Sequence, residues 1–163
     1  TRQKLASLIS DHGVQKRINR LTSTGGTFLV ECCRARKIKE STILRCMEEL
    51  VDRLGADVNL GVNETIWSEL PREKPLTALC VAAARGMPTI VEYLLQKGAS
   101  PTLTSTGRFR LYKRPRRSVK CFDKSPLEFS ETILAAEIEE GATKQDLKDL
   151  NRVIVLLKVR LDE

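Results

Sequence analysis

The residues with the greatest capacity for chemistry in this 163-residue chain are cationic, and they sit together. From Gly107 to Lys120 the sequence reads Gly-Arg-Phe-Arg-Leu-Tyr-Lys-Arg-Pro-Arg-Arg-Ser-Val-Lys, with seven basic residues and no acid. Arg outnumbers Lys five to two there. A guanidinium is a planar fork that grips carboxylates and phosphates through two parallel hydrogen bonds. Phe109 and Tyr112 are interleaved with the charges, which favours a structured contact. Several readings stay open: an acidic or phosphorylated protein partner, nucleic-acid phosphates, or nuclear import through Lys113-Arg114-Pro115-Arg116-Arg117. A solvated loop with no dedicated partner is the remaining one.

Bond-making chemistry has less to work with. His12 is the single histidine, so neither a two-His metal site nor an imidazole relay is expected. It stands before Gly13 at a predicted helix C-terminus, where a partial positive charge complements the macrodipole. Five cysteines (Cys32, Cys33, Cys46, Cys80, Cys121) form an odd set with no C-x-x-C pair. That is neither a disulfide framework nor a zinc site, and reduced thiols suit a cytoplasmic or nuclear setting. Glu137, Glu139 and Glu140 read as a solvated helix face, because paired carboxylates doing acid/base work need a cleft. No P-loop, G-x-G-x-x-G or G-x-S-x-G occurs. The expectation is a non-catalytic chain with no cofactor, and with neither catalytic nor metal-binding residues.

The elements that must position the cluster come from the apolar residues. Only seven residues are aromatic, and Leu, Val, Ile and Ala supply most of the apolar content. Stacked helices, an all-α class, fit that better than a β-sandwich. No apolar run approaches the roughly 18 residues that span a bilayer, so no membrane contact is expected. The chain opens at Thr1 rather than Met and is read as a piece of a longer protein.

Self-similarity orders the rest. Thr27-Phe28-Leu29-Val30-Glu31-Cys32-Cys33, Thr77-Ala78-Leu79-Cys80-Val81-Ala82-Ala83 and Ser125-Pro126-Leu127 share an opening. Leu50 to Asn59 and Leu94 to Ala99 share an ending, as does Leu8 to Val14. The Thr or Ser caps a predicted helix, and Pro126 falls where its missing N–H costs nothing. Ile90, Val91, Leu94 and Leu95 make one apolar stripe on a second helix. Gly98 then takes the left-handed position that ends it. One such helix pair leaves apolar faces uncovered, so copies must stack.

Thr77-Ala78-Leu79-Cys80-Val81-Ala82 resembles the T-P-L-H-x-A signature of the ankyrin repeat, with Ala for Pro and Cys for His. The resemblance is specific over 74–101, fair over 27–59 and weak over 125–161. It implies an ankyrin-like solenoid of helical hairpins with extended loops or hairpins between repeats. The expected division is a partial repeat (1–21), a repeat (22–60), a long loop (61–73), a repeat (74–101), the basic insert (102–124) and a divergent C-terminal repeat or cap (125–163). About seven extra residues near 37–42 are expected to lengthen the inner connection of the first full repeat.

The resemblance also implies a protein-interaction module that binds on its concave face and its inter-repeat fingers. Expected partner-binding residues are Arg108, Arg110, Tyr112, Lys113, Arg114, Arg116, Arg117 and Lys120. Trp67 in the other long loop joins them, with Arg34, Arg36 and Arg85 near the ends of first helices. Phe109 and Leu111 alternate with Arg108 and Arg110, and Val119 and Cys121 with Ser118 and Lys120. This period of two predicts an elongated hairpin with Pro115 at its tip. The charge is local: residues 107–124 carry +7, residues 22–106 are neutral and residues 125–163 carry −4. The acidic end is a candidate partner for the finger within the same chain. A structural role, packing against other domains of a larger protein, is a third possibility beside protein and nucleic-acid recognition.

Overall fold

The computed structural model describes residues 18–19, 27–35, 38–61, 75–111 and 117–162. The expected partial helix near 5–14, Arg36, Trp67, Tyr112, Lys113, Arg114 and Arg116 lie outside them. The described elements run in the order α1 (Phe28–Arg34), α2 (Glu40–Glu48), α3 (Ala78–Ala84), α4 (Pro88–Gln96), β1 (Ser105–Arg110), β2 (Ser118–Lys124), α5 (Pro126–Glu139) and α6 (Lys148–Asp162).

Three helices begin where their hydroxyls predict. Thr27, Thr77 and Ser125 each accept a hydrogen bond from the backbone N–H three residues on, that of Val30, Cys80 or Glu128, all at 3.3 Å. Ser125 and Glu128 form a full capping box, since the Glu128 carboxylate takes the Ser125 N–H at 2.7 Å. Gly98 ends α4 with φ +86°, as its position predicts, and Ala99 N–H reaches back to Leu94 C=O.

The helices form pairs that stack in chain order: α3 packs against α1 and α5, and α4 against α2 and α6. All seven residues of α3 are buried. A helix apolar on every side belongs inside, and this one is the centre of the core. The predicted stripe on α4, Ile90, Val91, Leu94 and Leu95, is buried as well.

Two expectations are corrected. The fold is mixed rather than all-α, because β1 and β2 pair as a two-stranded antiparallel sheet. The strands lie on the two alternating segments, with Phe109 opposite Val119. The seven extra residues of the first full repeat do not sit mainly in the inner connection either. Compared with α3–α4, two lengthen the connection and five lengthen the second helix, which continues through a π-helical turn at Glu49–Arg53. A π-turn absorbs added residues without breaking the helix. This one holds Asp52 against α4, where its carboxylate accepts from the Tyr93 hydroxyl at 3.3 Å and pairs with Lys97 at 2.6 Å.

Gly86 also has a left-handed backbone (φ +62°), and a Cβ there would lie 3.2 Å from the Leu150 backbone nitrogen of α6. At Gly98 nothing lies within 4 Å of that position. Gly98→Ala therefore carries only the conformational cost of about 1 kcal/mol. Gly86→Ala adds a backbone clash and should lose about 2–4 kcal/mol. Urea denaturation of the two variants checks the order.

The Ser125 N–H favours the charged Glu128 carboxyl and holds its pKa below the usual carboxylate range. A depressed folded pKa means stabilisation present above the unfolded pKa and lost as pH falls through the folded one. Glu128→Gln should be less stable than wild type at neutral pH, yet lose less stability between about pH 6 and pH 3. Denaturation midpoints across that range read this out.

Candidate binding face of the hairpin

The hairpin is fixed at its root and along one face. At the root, Thr77 N–H donates to the Ser105 hydroxyl at 3.3 Å, tying β1 to the first turn of α3. A Cβ at Gly107 would meet the Leu76 side chain at 3.0 Å, so glycine lets the strand lie directly on that residue. Phe109 meets Phe129 of α5 edge to face, with centroids 5.3 Å apart and planes at 87°. Leu111 and Cys121 are fully buried. Near the base, Phe122 and Asp123 stand opposite the single residue Thr106, a bulge in which Asp123 takes φ 47° and donates its N–H to Thr106 Oγ1.

With the inner row committed, alternation turns the other row to solvent. Arg108, Arg110, Ser118, Lys120 and Phe122 are all exposed. Arg108 stands directly opposite Lys120, and Arg110 opposite Ser118. Like charges opposite one another in a ladder are destabilising, and a bound anion relieves them. Phe122 is 55% exposed, and the Lys120 ammonium lies 4.1 Å from its ring centroid. The face is thus a cationic row ending in an open aromatic ring.

The flank of the hairpin differs. Arg117 pairs with Glu140, which follows α5, and stands 4.0 Å from Glu139, so the acidic end does meet the finger at this residue. The groove between β2 and α5 sets Arg117 and Lys124 against Glu128, Glu131 and Glu139. Its charge is mixed, whereas the outer row carries one sign.

Arg34 and Arg85 stand elsewhere. Arg34 pairs with Glu31 of its own helix at 3.2 Å. Arg85 follows the C-terminus of α3, the end remote from the Thr77–Ser105 contact. Its guanidinium donates to the carbonyls of Cys33 and, at 2.9 Å, Ala35, closing the C-terminus of α1. Glu40 does the reciprocal task, accepting from the Thr89 and Ile90 N–H groups at 2.8 and 3.1 Å at the start of α4. Asn59 accepts from Ser100 N–H and donates to Gly98 C=O, and Asn19 likewise accepts from Asp57 N–H. Sequence reasoning missed Glu40, Asn59 and Phe122. Only Phe122 left a signal, its place two residues after Lys120 in the alternation.

Burial raises the Cys32 and Cys80 thiols to about 11 and pushes Cys33 and Cys121 up as well, so these four stay protonated. Cys33 is fully buried, as expected of at least one member of the Cys32–Cys33 pair. Cys46 is exposed, and no described cysteine is in a disulfide. No described helix is long and apolar enough to cross a membrane.

Helices α3 and α4, the glycine after α4 and the first residues of β1 form one unit, and residues 76–106 match the family model for the ankyrin repeat. Over these residues the chain is similar to an ankyrin repeat. No curated protein matches the chain. Ankyrin repeats are general protein–protein interaction modules and are typically non-catalytic. The match stops at the second residue of β1, so the cationic row lies just beyond the matched segment while its root is built into it.

Arg85→Met keeps the stem and strands two carbonyls at the end of α1. Hydrogen bonds from charged donors are worth roughly 1.5–3 kcal/mol, and a stability loss of that size is expected in urea melts. Binding at the hairpin, measured where the variant remains folded, should be unchanged.

Proposed function

We propose that the chain is an interaction module that captures an acidic or phosphorylated peptide on the outer face of the β1–β2 hairpin. The observation that carries this reading is the exposed row of Arg108, Arg110 and Lys120, closed by Phe122, on a hairpin whose other face is packed into the protein. A backbone already fixed as a ladder needs no ordering on binding, which leaves only the side chains to be immobilised and favours affinity. Phe122 supplies an apolar or stacking contact beside the charges, as aromatic anchors do in other interfaces. No bond is made or broken in this mechanism. The cytosol or nucleus is the proposed setting, where the cysteines stay thiols.

Fluorescence anisotropy tests it with three labelled probes: an Asp/Glu-rich phosphoserine peptide, its unphosphorylated form and a mixed-sequence single-stranded oligonucleotide. The acidic peptides should bind saturably at about 150 mM salt, where exposed charges more than ~8 Å apart are largely screened. Arg110→Glu should weaken binding about tenfold or more, equal to about 1.4 kcal/mol. Arg34→Ala should leave it unchanged. Tighter binding of the oligonucleotide, weakening log-linearly with salt and indifferent to sequence, would instead support nucleic-acid recognition.

A further inference from the structure

The hairpin carries three described hydroxyl side chains, and two are committed to the fold. Ser105 is fully buried and accepts from Thr77 N–H, and Thr106 accepts from Asp123 N–H. Ser118 is different. It is exposed on the outer row, directly opposite Arg110 and two residues before Lys120, at the far end of the paired strands. In sequence it follows Lys113, Arg114, Arg116 and Arg117. Runs of basic residues ahead of a serine are what kinases with acidic substrate clefts read, because charge pattern decides much of their selectivity.

We propose that Ser118 is a phosphorylation site for a basic-directed serine kinase, and that its phosphate settles on Arg110 and Lys120 and closes the face to acidic partners. In the transfer, Ser118 Oγ forms a bond to the γ-phosphorus of a nucleoside triphosphate as the bond from that phosphorus to the β–γ bridging oxygen breaks. The hydroxyl proton passes to the kinase's catalytic carboxylate, and the nucleoside diphosphate leaves. Side chains directly opposite on an antiparallel pair have Cβ atoms about 5 Å apart, so the phosphate is within reach of the Arg110 fork. A phosphoserine carries about two negative charges near neutral pH, enough to cancel most of the row formed by Arg108, Arg110 and Lys120. The inhibitory half of this inference rests on the proposed function, whereas the modification and its contact with Arg110 do not.

The test treats the full chain with ATP and a panel of basic-directed serine kinases, mapping phosphate by mass spectrometry. One phosphate at Ser118, absent from Ser118→Ala, is expected. The Arg110 side-chain Nε–H resonance should shift on phosphorylation, and affinity for the acidic phosphoserine probe should fall about tenfold on kinase treatment of the wild type but not on the same treatment of Ser118→Ala. Phosphate only at other residues, or none, would overturn the inference and leave the binding reading intact. Phosphorylation of Ser118 with the Arg110 resonance and probe affinity unmoved would overturn it too. If the unmodified protein ignores the acidic probe, the binding reading fails and the inhibitory role falls with it, while mass mapping and the Arg110 resonance still decide the modification.

Discussion

A seven-residue helix is nearly all ends. Four N–H and four C=O groups lack partners within any helix, so α1 and α3 would leave most of their backbone unsatisfied if they stood alone. The protein closes these ends in two ways. Hydroxyl caps at Thr27 and Thr77 act within each helix. Arg85, Glu40 and Asn59 reach across to backbone groups of a neighbouring pair or its following turn. Each cross-link forms only when the neighbour is in place, so these caps depend on the stacking that burial of the apolar α3 drives.

The hairpin inherits that rigidity. Its root is tied to the cap of α3 through Ser105, and its inner row rests on Leu76 and Phe129. An edge-to-face aromatic pair contributes about 0.5–1.5 kcal/mol beyond area burial and helps to hold the hairpin on α5. The strand period then separates two tasks on one ribbon. One side holds the hairpin to the helices, and the other is left to charge. The segment similar to an ankyrin repeat supplies the platform, and the residues after it supply the candidate contact surface.

Much of this was readable from residue order. Local rules placed the three caps, the left-handed Gly98, the apolar stripe of α4 and the two strands, because each depends on neighbours within a few positions. The all-α class failed for a different reason. It was drawn from bulk composition, and two short strands barely change the composition of a helical protein. The extra residues near 37–42 read as a connection because nothing in the pattern announces that a helix will absorb them through a π-turn. Arg85 and Glu40 were opaque as caps, since their partners lie about fifty positions away and become neighbours only after stacking. Among the candidate site residues, Arg108, Arg110 and Lys120 share one face, as alternation predicts. Arg34 and Arg85 stand at the ends of first helices, as their positions predict.

The central claim is that recognition takes place on the outer row of the hairpin. Titrating the isotope-labelled chain with an Asp/Glu-rich phosphoserine peptide, and following backbone and Arg side-chain resonances, tests it directly. Shifts are predicted at Arg108, Arg110, Ser118, Lys120 and Phe122, with Cys121 and the Arg85 turn unmoved. Shifts concentrated around Arg34 and Arg85, with the outer row silent, would contradict the account.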